Sequence, residues 1–138
     1  MRVNVEALGI LQAIARAAEL LADPRIPAIF EGLFEFEGVR VRLDILERAG
    51  GGAWRLCEVK LSTQLKEDHL DDIAIQAYVL AGAGISLDRS VLMHLNRDYV
   101  YPGGDLDLRQ LFLRQDLTKE IADDQHDIPA RLEAKRGP

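Results

Sequence analysis

Apolar side chains recur at intervals of three and four residues in two parts of the chain. The first part runs from Val5 to Leu21 and is followed by Asp23-Pro24. The second runs from Leu70 to Ala81, and glycines follow it at positions 82 and 84. This spacing collects the apolar residues on one helical face, and proline and glycine are typical of helix ends. The pattern therefore predicts two amphipathic helices.

Between the helices, apolar and polar positions alternate. Phe30, Phe34 and Phe36 share one parity, and the alternation resumes from Val39 to Ile45 after Glu37-Gly38. Period-two patterns of this kind are typical of half-buried strands, and a two-residue connection containing glycine is typical of a tight hairpin turn. We expect two antiparallel strands joined at Glu37-Gly38.

Further elements follow the hairpin. The glycines at 50–52 predict a second turn, Trp54 to Leu61 a third strand, and Ser90 to Leu95 a fourth. Beyond Pro102 the chain is more polar, and a helix is expected from about Thr118. The predicted order is α-β-β-β-α-β followed by a helical C-terminal tail.

Composition indicates one soluble domain. The chain has 138 residues with a net charge of −6, and no internal repeat or Pro/Ser/Gly-rich linker interrupts it. We expect a single domain over residues 1–138, with a core at about 5–115 and the tail at about 116–138. A single cysteine, Cys57, favours the reducing cytoplasm, and no apolar run is long enough for a membrane partner. The acidic balance disfavours a broad basic surface for nucleic acid.

Carboxylates meet when the predicted strands are aligned. A turn at Glu37-Gly38 places Glu31 opposite Asp44, and a turn centred on Gly51 places Asp44 opposite Glu58. The second turn also places Arg42 opposite Lys60. Like charges directly opposite each other destabilise a sheet, and a divalent cation with oxygen ligands would neutralise three such carboxylates. We therefore expect a Mg²⁺ site among them.

The third strand carries the metal ligand and a cation together. Glu58 and Lys60 are two residues apart and share one face, while Cys57, Val59 and Leu61 are expected to face the core. A lysine at such a site can orient a water and stabilise charge on a phosphate. The alternative is a solvated polar face whose charges form ordinary ion pairs.

These residues resemble a known signature. Asp44 followed by Glu58-Val59-Lys60 is similar to the Asp…Glu-x-Lys motif of the PD-(D/E)xK nuclease superfamily. Segments 28–31, 57–63, 71–78 and 94–99 resemble RecB-like nuclease domains of uncharacterised bacterial proteins. The resemblance covers about residues 5–115. It implies an α/β, restriction-endonuclease-like α-β-β-β-α-β core with a mixed central sheet flanked by helices.

The resemblance also implies roles. Asp44 and Glu58 would bind Mg²⁺ or Mn²⁺ with the backbone carbonyl of Val59, and Lys60 would position the attacking water. Gln76 matches the glutamine of the Gln-x-x-x-Tyr motif that contacts the site and substrate. The tyrosine position of that motif is Leu80 here, and the nearby aromatic residue is Tyr78.

Further site residues are expected beside these. Glu31, or in some relatives an acidic residue of the first helix such as Glu19, would add a metal ligand. Lys66, Arg40 and Arg42 are candidates for contacts with the nucleic-acid backbone. His69, near the start of the second helix, is expected at the surface, and the alternative is a position close to the metal face. An iron–sulfur cluster is excluded because Cys57 is the single cysteine.

The function implied is Mg²⁺-dependent hydrolysis of DNA phosphodiester bonds, with RNA as a possible substrate. Such a nuclease would serve as a module in DNA repair, recombination or defence, together with a partner domain or protein such as a helicase. Two alternatives stay open. One is an inactive nucleic-acid-binding or scaffolding module of the same fold, and the other is a phosphohydrolase that does not cleave nucleic acid.

Overall fold

A computed structural model describes residues 5–63 and 65–136. The helices are α1 (Val5–Ala22), α2 (Glu67–Gly82), α3 (Leu108–Leu111), α4 (Thr118–Asp124) and α5 (Ile128–Arg136), with a 3-10 turn at Gln125–Asp127. Both amphipathic helices predicted from the sequence are confirmed. No helix among the described residues is long and apolar enough to cross a membrane.

The strands form two sheets. They are β1 (Ala28–Phe30), β2 (Leu33–Phe36), β3 (Val39–Arg42), β4 (Ile45–Gly50), β5 (Ala53–Lys60), β6 (Leu87–Leu95) and β7 (Phe112–Asp116). A five-stranded sheet has the order β1-β4-β5-β6-β7, and β2 and β3 form a separate two-stranded sheet. The larger sheet is mixed, because β5 and β6 are parallel and its other pairs are antiparallel. The expected α/β class and mixed central sheet are confirmed.

The predicted hairpin has the expected register but divides into two pieces. Phe36 pairs with Val39 in the small sheet, and Phe30 pairs with Ile45 in the large one. Between the two ladders Glu31 has a φ of 56°, in the left-handed region that breaks strand alternation. The structure therefore has four strands here, β1 to β4, where two were expected.

The register between β4 and β5 is also as expected from Ile45 to Arg48, and it shifts between Arg48 and Gly50. Ile45 pairs with Cys57, which places the preceding Asp44 at the level of Glu58. The turn contains glycines 50–52, all with positive φ. The expected pairing of Arg42 with Lys60 is wrong, because Arg42 belongs to β3 and pairs with Leu33 in the other sheet.

On β5, the face that packs against the main core is the opposite of the face predicted from the sequence, which was that of Cys57, Val59 and Leu61. Trp54 and Leu56 belong to the main hydrophobic cluster with residues of α1, α2, α4 and α5, and they share their face with Glu58 and Lys60. Cys57 is buried but lies outside that cluster, and Leu61 is 80% exposed. The central strand is buried on both faces, so alternation alone did not distinguish them.

Helix α2 connects two parallel neighbours, β5 and β6, and covers the face of the sheet that carries Glu58. The C-terminal helices join the same core. Leu117, Ile121 and Ile128 are at most 3% exposed, and the Gln125 side chain donates to the Ala74 carbonyl of α2 at 3.1 Å. The expected C-terminal tail is helical, and its apolar residues complete the layer that packs on α2.

Candidate active site

Asp44 lies in a bend between β3 and β4, where the chain passes from the small sheet to the large one. Its Oδ2 accepts a hydrogen bond of 2.8 Å from the backbone N–H of Val59. Val59 is the residue between Glu58 and Lys60, so this bond attaches the Asp44 carboxylate to the Glu-x-Lys segment. The bend between β3 and β4 and the pairing of β4 with β5 together position the Asp44 carboxylate.

Glu58 is the most perturbed acid of the site. It is 6% exposed, and its pKa is raised to about 7, chiefly by burial. A hydrogen bond from Gln76 opposes this rise in pKa, whereas the charge of Asp44 and a hydrogen bond with it add to the rise. Its Oε2 is buried without a hydrogen-bond partner. Two carboxylates in contact in a low-dielectric site favour a proton or a cation between them.

Lys60 supplies a positive charge beside this pair. Its Nζ lies 3.6 Å from Glu58 Oε1 and 3.5 Å from Asp72 Oδ2. The Lys60 side chain is 28% exposed, whereas the Asp72 side chain is 55% exposed. The ammonium group therefore lies between a buried carboxylate and one at the surface, where a substrate could reach it.

Gln76 approaches the site from α2. It is 8% exposed, its amide interacts with Glu58, and its Oε1 is buried without a hydrogen-bond partner. Buried amide oxygens are rarely left unpaired in native proteins. The structure thus brings Asp44, Glu58 and Lys60 together, as the strand register predicted, and adds Gln76, as the resemblance implied.

Two further residues of α2 lie at the site, of which Asp72 was not predicted there and His69 was expected there only as an alternative. Asp72 contacts Lys60, and His69 lies close enough to Lys60 and Lys66 that their charges lower its pKa, after the larger effect of burial. His69 Nδ1 accepts a hydrogen bond of 3.3 Å from the Lys66 backbone N–H. Positions 69, 72 and 76 follow helical spacing, so this stripe was the signal available in the sequence.

Glu31 does not complete the predicted group of three carboxylates. Its side chain is exposed at the kink. Across residues 5–63 and 65–136, no group of three or more His, Cys, Asp or Glu side chains could hold a metal ion. The left-handed conformation of Glu31 ended the alternation on which that expectation depended. The carboxylates that do meet are Asp44 and Glu58.

Other predicted residues lie elsewhere. The Tyr78 ring packs edge-on against Phe36, with ring centroids 5.7 Å apart, so it contacts the small sheet. Glu19 pairs with Arg16 on α1 at 3.1 Å. Arg40 lies 3.9 Å from Glu35 across β2 and β3, and Arg42 donates to the Glu31 carbonyl. Lys66 differs from these residues, because it is the N-cap of α2 and its backbone N–H donates to His69 beside the site.

The donors present fit Mg²⁺ or Mn²⁺. Both are hard cations that accept carboxylate oxygens, and Mg²⁺ is commonly held by one or two protein carboxylates together with water and phosphate oxygens. The unpartnered Oε2 of Glu58 beside Asp44 is a ligand atom of this kind. The role predicted for the Val59 carbonyl stays a prediction.

Comparisons with known proteins show no family. No protein-family profile matches the chain, and no curated protein is similar to it. A solved structure titled "Crystal structure of SSO0001" is similar to the chain with 14% sequence identity and a TM-score of 0.40. The match covers 88% of this chain and 59% of that structure. At this TM-score the likeness carries no argument about fold or function.

Proposed function

We propose that this protein is a metal-dependent nuclease of the PD-(D/E)xK type, with a restriction-endonuclease-like core, that hydrolyses phosphodiester bonds in DNA. The observation that supports this most is the environment of Glu58. A carboxylate that is 6% exposed, touches a second carboxylate and retains an unpartnered oxygen is costly for stability alone. It is well suited to a site that holds a cation.

Each side chain has a distinct task in this proposal. Asp44 and Glu58 provide the negative charge that would hold Mg²⁺ or Mn²⁺, and the Val59 N–H fixes the orientation of Asp44. Gln76 orients Glu58 by donating to it. When bound, the metal acts as a Lewis acid toward a phosphate oxygen.

Lys60 acts on the water and the phosphate. Glu58 and Asp72 hold its ammonium group from two sides, which restricts a side chain that is otherwise flexible. From that position Lys60 donates hydrogen bonds to the attacking water and to the negative charge that develops on the phosphate. We expect the water to attack in line with the departing oxygen.

A phosphodiester is proposed as the substrate because a metal held by two carboxylates beside a cation can stabilise the charge that develops during its hydrolysis. DNA is the substrate that the resemblance to PD-(D/E)xK nucleases implies. Lys66, at the start of α2, lies close enough to His69 for its charge to act on that residue, as the charge of Lys60 also does. It provides a further positive charge for the nucleic-acid backbone. Since the chain is acidic overall, we propose that it works as a module beside a partner that also binds DNA, in repair, recombination or defence.

A cleavage assay tests this proposal. Purified protein is incubated with labelled single-stranded DNA, double-stranded DNA and single-stranded RNA, each with Mg²⁺, Mn²⁺ or EDTA. Cleavage of DNA that requires either metal supports the proposal. Cleavage of RNA alone would show that the substrate is RNA and not DNA. Binding of DNA without cleavage under every condition would instead indicate the inactive binding module.

A further inference from the structure

The sheet has a second face, and arginines from three adjacent strands lie on it. Arg55 of β5 pairs in register with Arg89 of β6, and Arg114 of β7 pairs with Met93. Strand alternation places these side chains opposite Leu56 and Leu92, which belong to the main core. This arginine face is therefore on the other side of the sheet from Glu58 and Lys60.

A cavity of about 230 Å³ lies among the arginines. Its lining residues are Arg55, Arg89, Val91, Arg114 and Asp116. Asp116 Oδ1 accepts a hydrogen bond of 3.0 Å from the Thr118 backbone N–H and a second one from the Thr118 hydroxyl. Asp116, the one carboxylate in the lining, keeps its negative charge, because these hydrogen bonds, and beyond them the charges of Arg89 and Arg55, lower its pKa. The lining thus carries three positive charges and one negative charge.

Two acidic residues next to the cavity pair with Arg55 and Arg114, so that with Asp116 three carboxylates accompany the three arginines. Glu47 lies 3.2 Å from Arg114 and 4.0 Å from Arg55, and Asp88 lies 3.5 Å from Arg55. Arg89, in contrast, is exposed and forms no ion pair with the described part of the chain. Its guanidinium group leaves five N–H donors available to an anion.

A second cavity of about 490 Å³ adjoins the first and shares Arg114 with it. Its lining is mainly apolar and consists of Met93, Leu108, Arg109, Phe112, Leu113 and Arg114. Leu108 is 62% exposed and Leu113 is 45% exposed. Arg114 thus borders both the arginine-lined cavity and a mainly apolar one whose lining includes the aromatic residue Phe112.

We propose that the two cavities bind a nucleoside monophosphate, either free or as the 5′-phosphorylated end of a DNA strand. The phosphate lies between Arg89 and Arg114, because the planar guanidinium fork matches phosphate oxygens. The base packs against Phe112 and Met93, since every base offers a π-face to an aromatic side chain. This binding needs neither Asp44 nor Glu58, so it is independent of the proposed nuclease site.

Calorimetric titration tests the proposal. The whole chain, in EDTA, is titrated with thymidine 5′-monophosphate, thymidine and inorganic phosphate. We expect the nucleotide to bind more tightly than phosphate, and thymidine to bind weakest. Arg89→Gln should weaken nucleotide binding about tenfold, the effect of one charge-assisted contact. The matched control Arg97→Gln, an exposed arginine outside both cavities, should leave it unchanged.

The outcomes separate this site from the nuclease site. Undiminished nucleotide binding by Asp44→Asn supports an independent site, whatever its cleavage activity. The two sources of phosphate are compared with thymidylate oligomers that carry or lack a 5′-phosphate. Preference for the phosphorylated oligomer would identify the 5′ end of a DNA strand as the ligand. Binding of the free nucleotide without the oligomer would identify the free mononucleotide as the ligand. No binding at millimolar nucleotide, equal loss in both arginine variants, or equal affinity for phosphate would overturn the proposal.

Discussion

The Asp44 carboxylate accepts a hydrogen bond of 2.8 Å from the backbone N–H of Val59. This bond joins a bend between the two sheets to the strand that carries Glu58 and Lys60. An asparagine at position 44 can accept the same bond through its amide oxygen, but it carries no charge. The Asp44→Asn substitution therefore separates the structural role of the residue from its electrostatic one.

We expect Mg²⁺ or Mn²⁺ to raise the melting temperature of the wild-type protein. A ligand at ten times its Kd stabilises the folded state by about 1.4 kcal/mol, a rise of about 5 °C for a domain of this size. Asp44→Asn should remove most of this rise and should stabilise the metal-free protein, because Glu58 loses a like charge. Thermal melts with metal and with EDTA measure both effects. Asp98→Asn, at an exposed position, is the control, and an equal metal response in all three proteins would refute the paired-carboxylate site.

Glu58 makes the stability of the metal-free protein depend on pH. Its folded-state pKa of about 7 lies above the ordinary 4.5, so the folded state retains a proton that the unfolded state releases. The stability from this group is complete below about pH 4.5 and is lost as the pH rises through 7. The shift corresponds to about 3 kcal/mol. Urea unfolding in EDTA at several pH values should show this loss in wild type relative to Glu58→Gln, and parallel pH profiles would contradict it.

The end of α2 packs closely on the small sheet at Gly82. A Cβ at this position would lie 2.2 Å from the Phe36 ring. We expect Gly82→Ala to destabilise the protein by about 1–3 kcal/mol, because the ring must shift. Gly9→Ala on α1 is the matched control, since nothing lies within 4 Å of its added Cβ, and it should stabilise by up to about 1 kcal/mol. Urea unfolding of both variants checks the difference in sign.

The C-terminal helices contribute to the same core as the sheet. Ile128 is 0% exposed at the start of α5. Ile128→Ala should therefore cost about 2–5 kcal/mol, the usual range for emptying a core position. Leu11→Ala, at a position that is 62% exposed, should change stability by about 0.5 kcal/mol or less. If chemical denaturation shows similar small losses for both, α5 does not contribute to the core as described.

Turn chemistry explains why the strand registers could be predicted. The connection at Glu37-Gly38 and the glycines at 50–52 all have positive φ, and each turn determines which residues pair along its ladder. The faces of β5 could not be read in this way, because Cys57 and Leu56 are both fully buried. Strand β7 has no buried residue, so its sequence lacks the apolar alternation that marks a strand.

The site was predictable in part for a similar reason. Asp44, Glu58 and Lys60 belong to strands or bends whose register follows from the turns. Periodicity identified the helix that carries Gln76, but its place at the site was implied by the resemblance alone. Asp72 and the kink at Glu31 depend on how α2 and the two sheets pack. That packing is set by contacts between residues distant in sequence, which local pattern does not reveal.

The most direct test of the central claim is the rate of metal-dependent DNA cleavage by Lys60→Ala relative to wild type. Lys119→Ala is the matched control, since Lys119 is exposed on α4, outside the candidate site. Removing a positioned donor to a developing charge typically costs about 100- to 1000-fold. We predict a loss of that size for Lys60→Ala, with Lys119→Ala retaining the wild-type rate. Cleavage by Lys60→Ala at the wild-type rate would contradict the account.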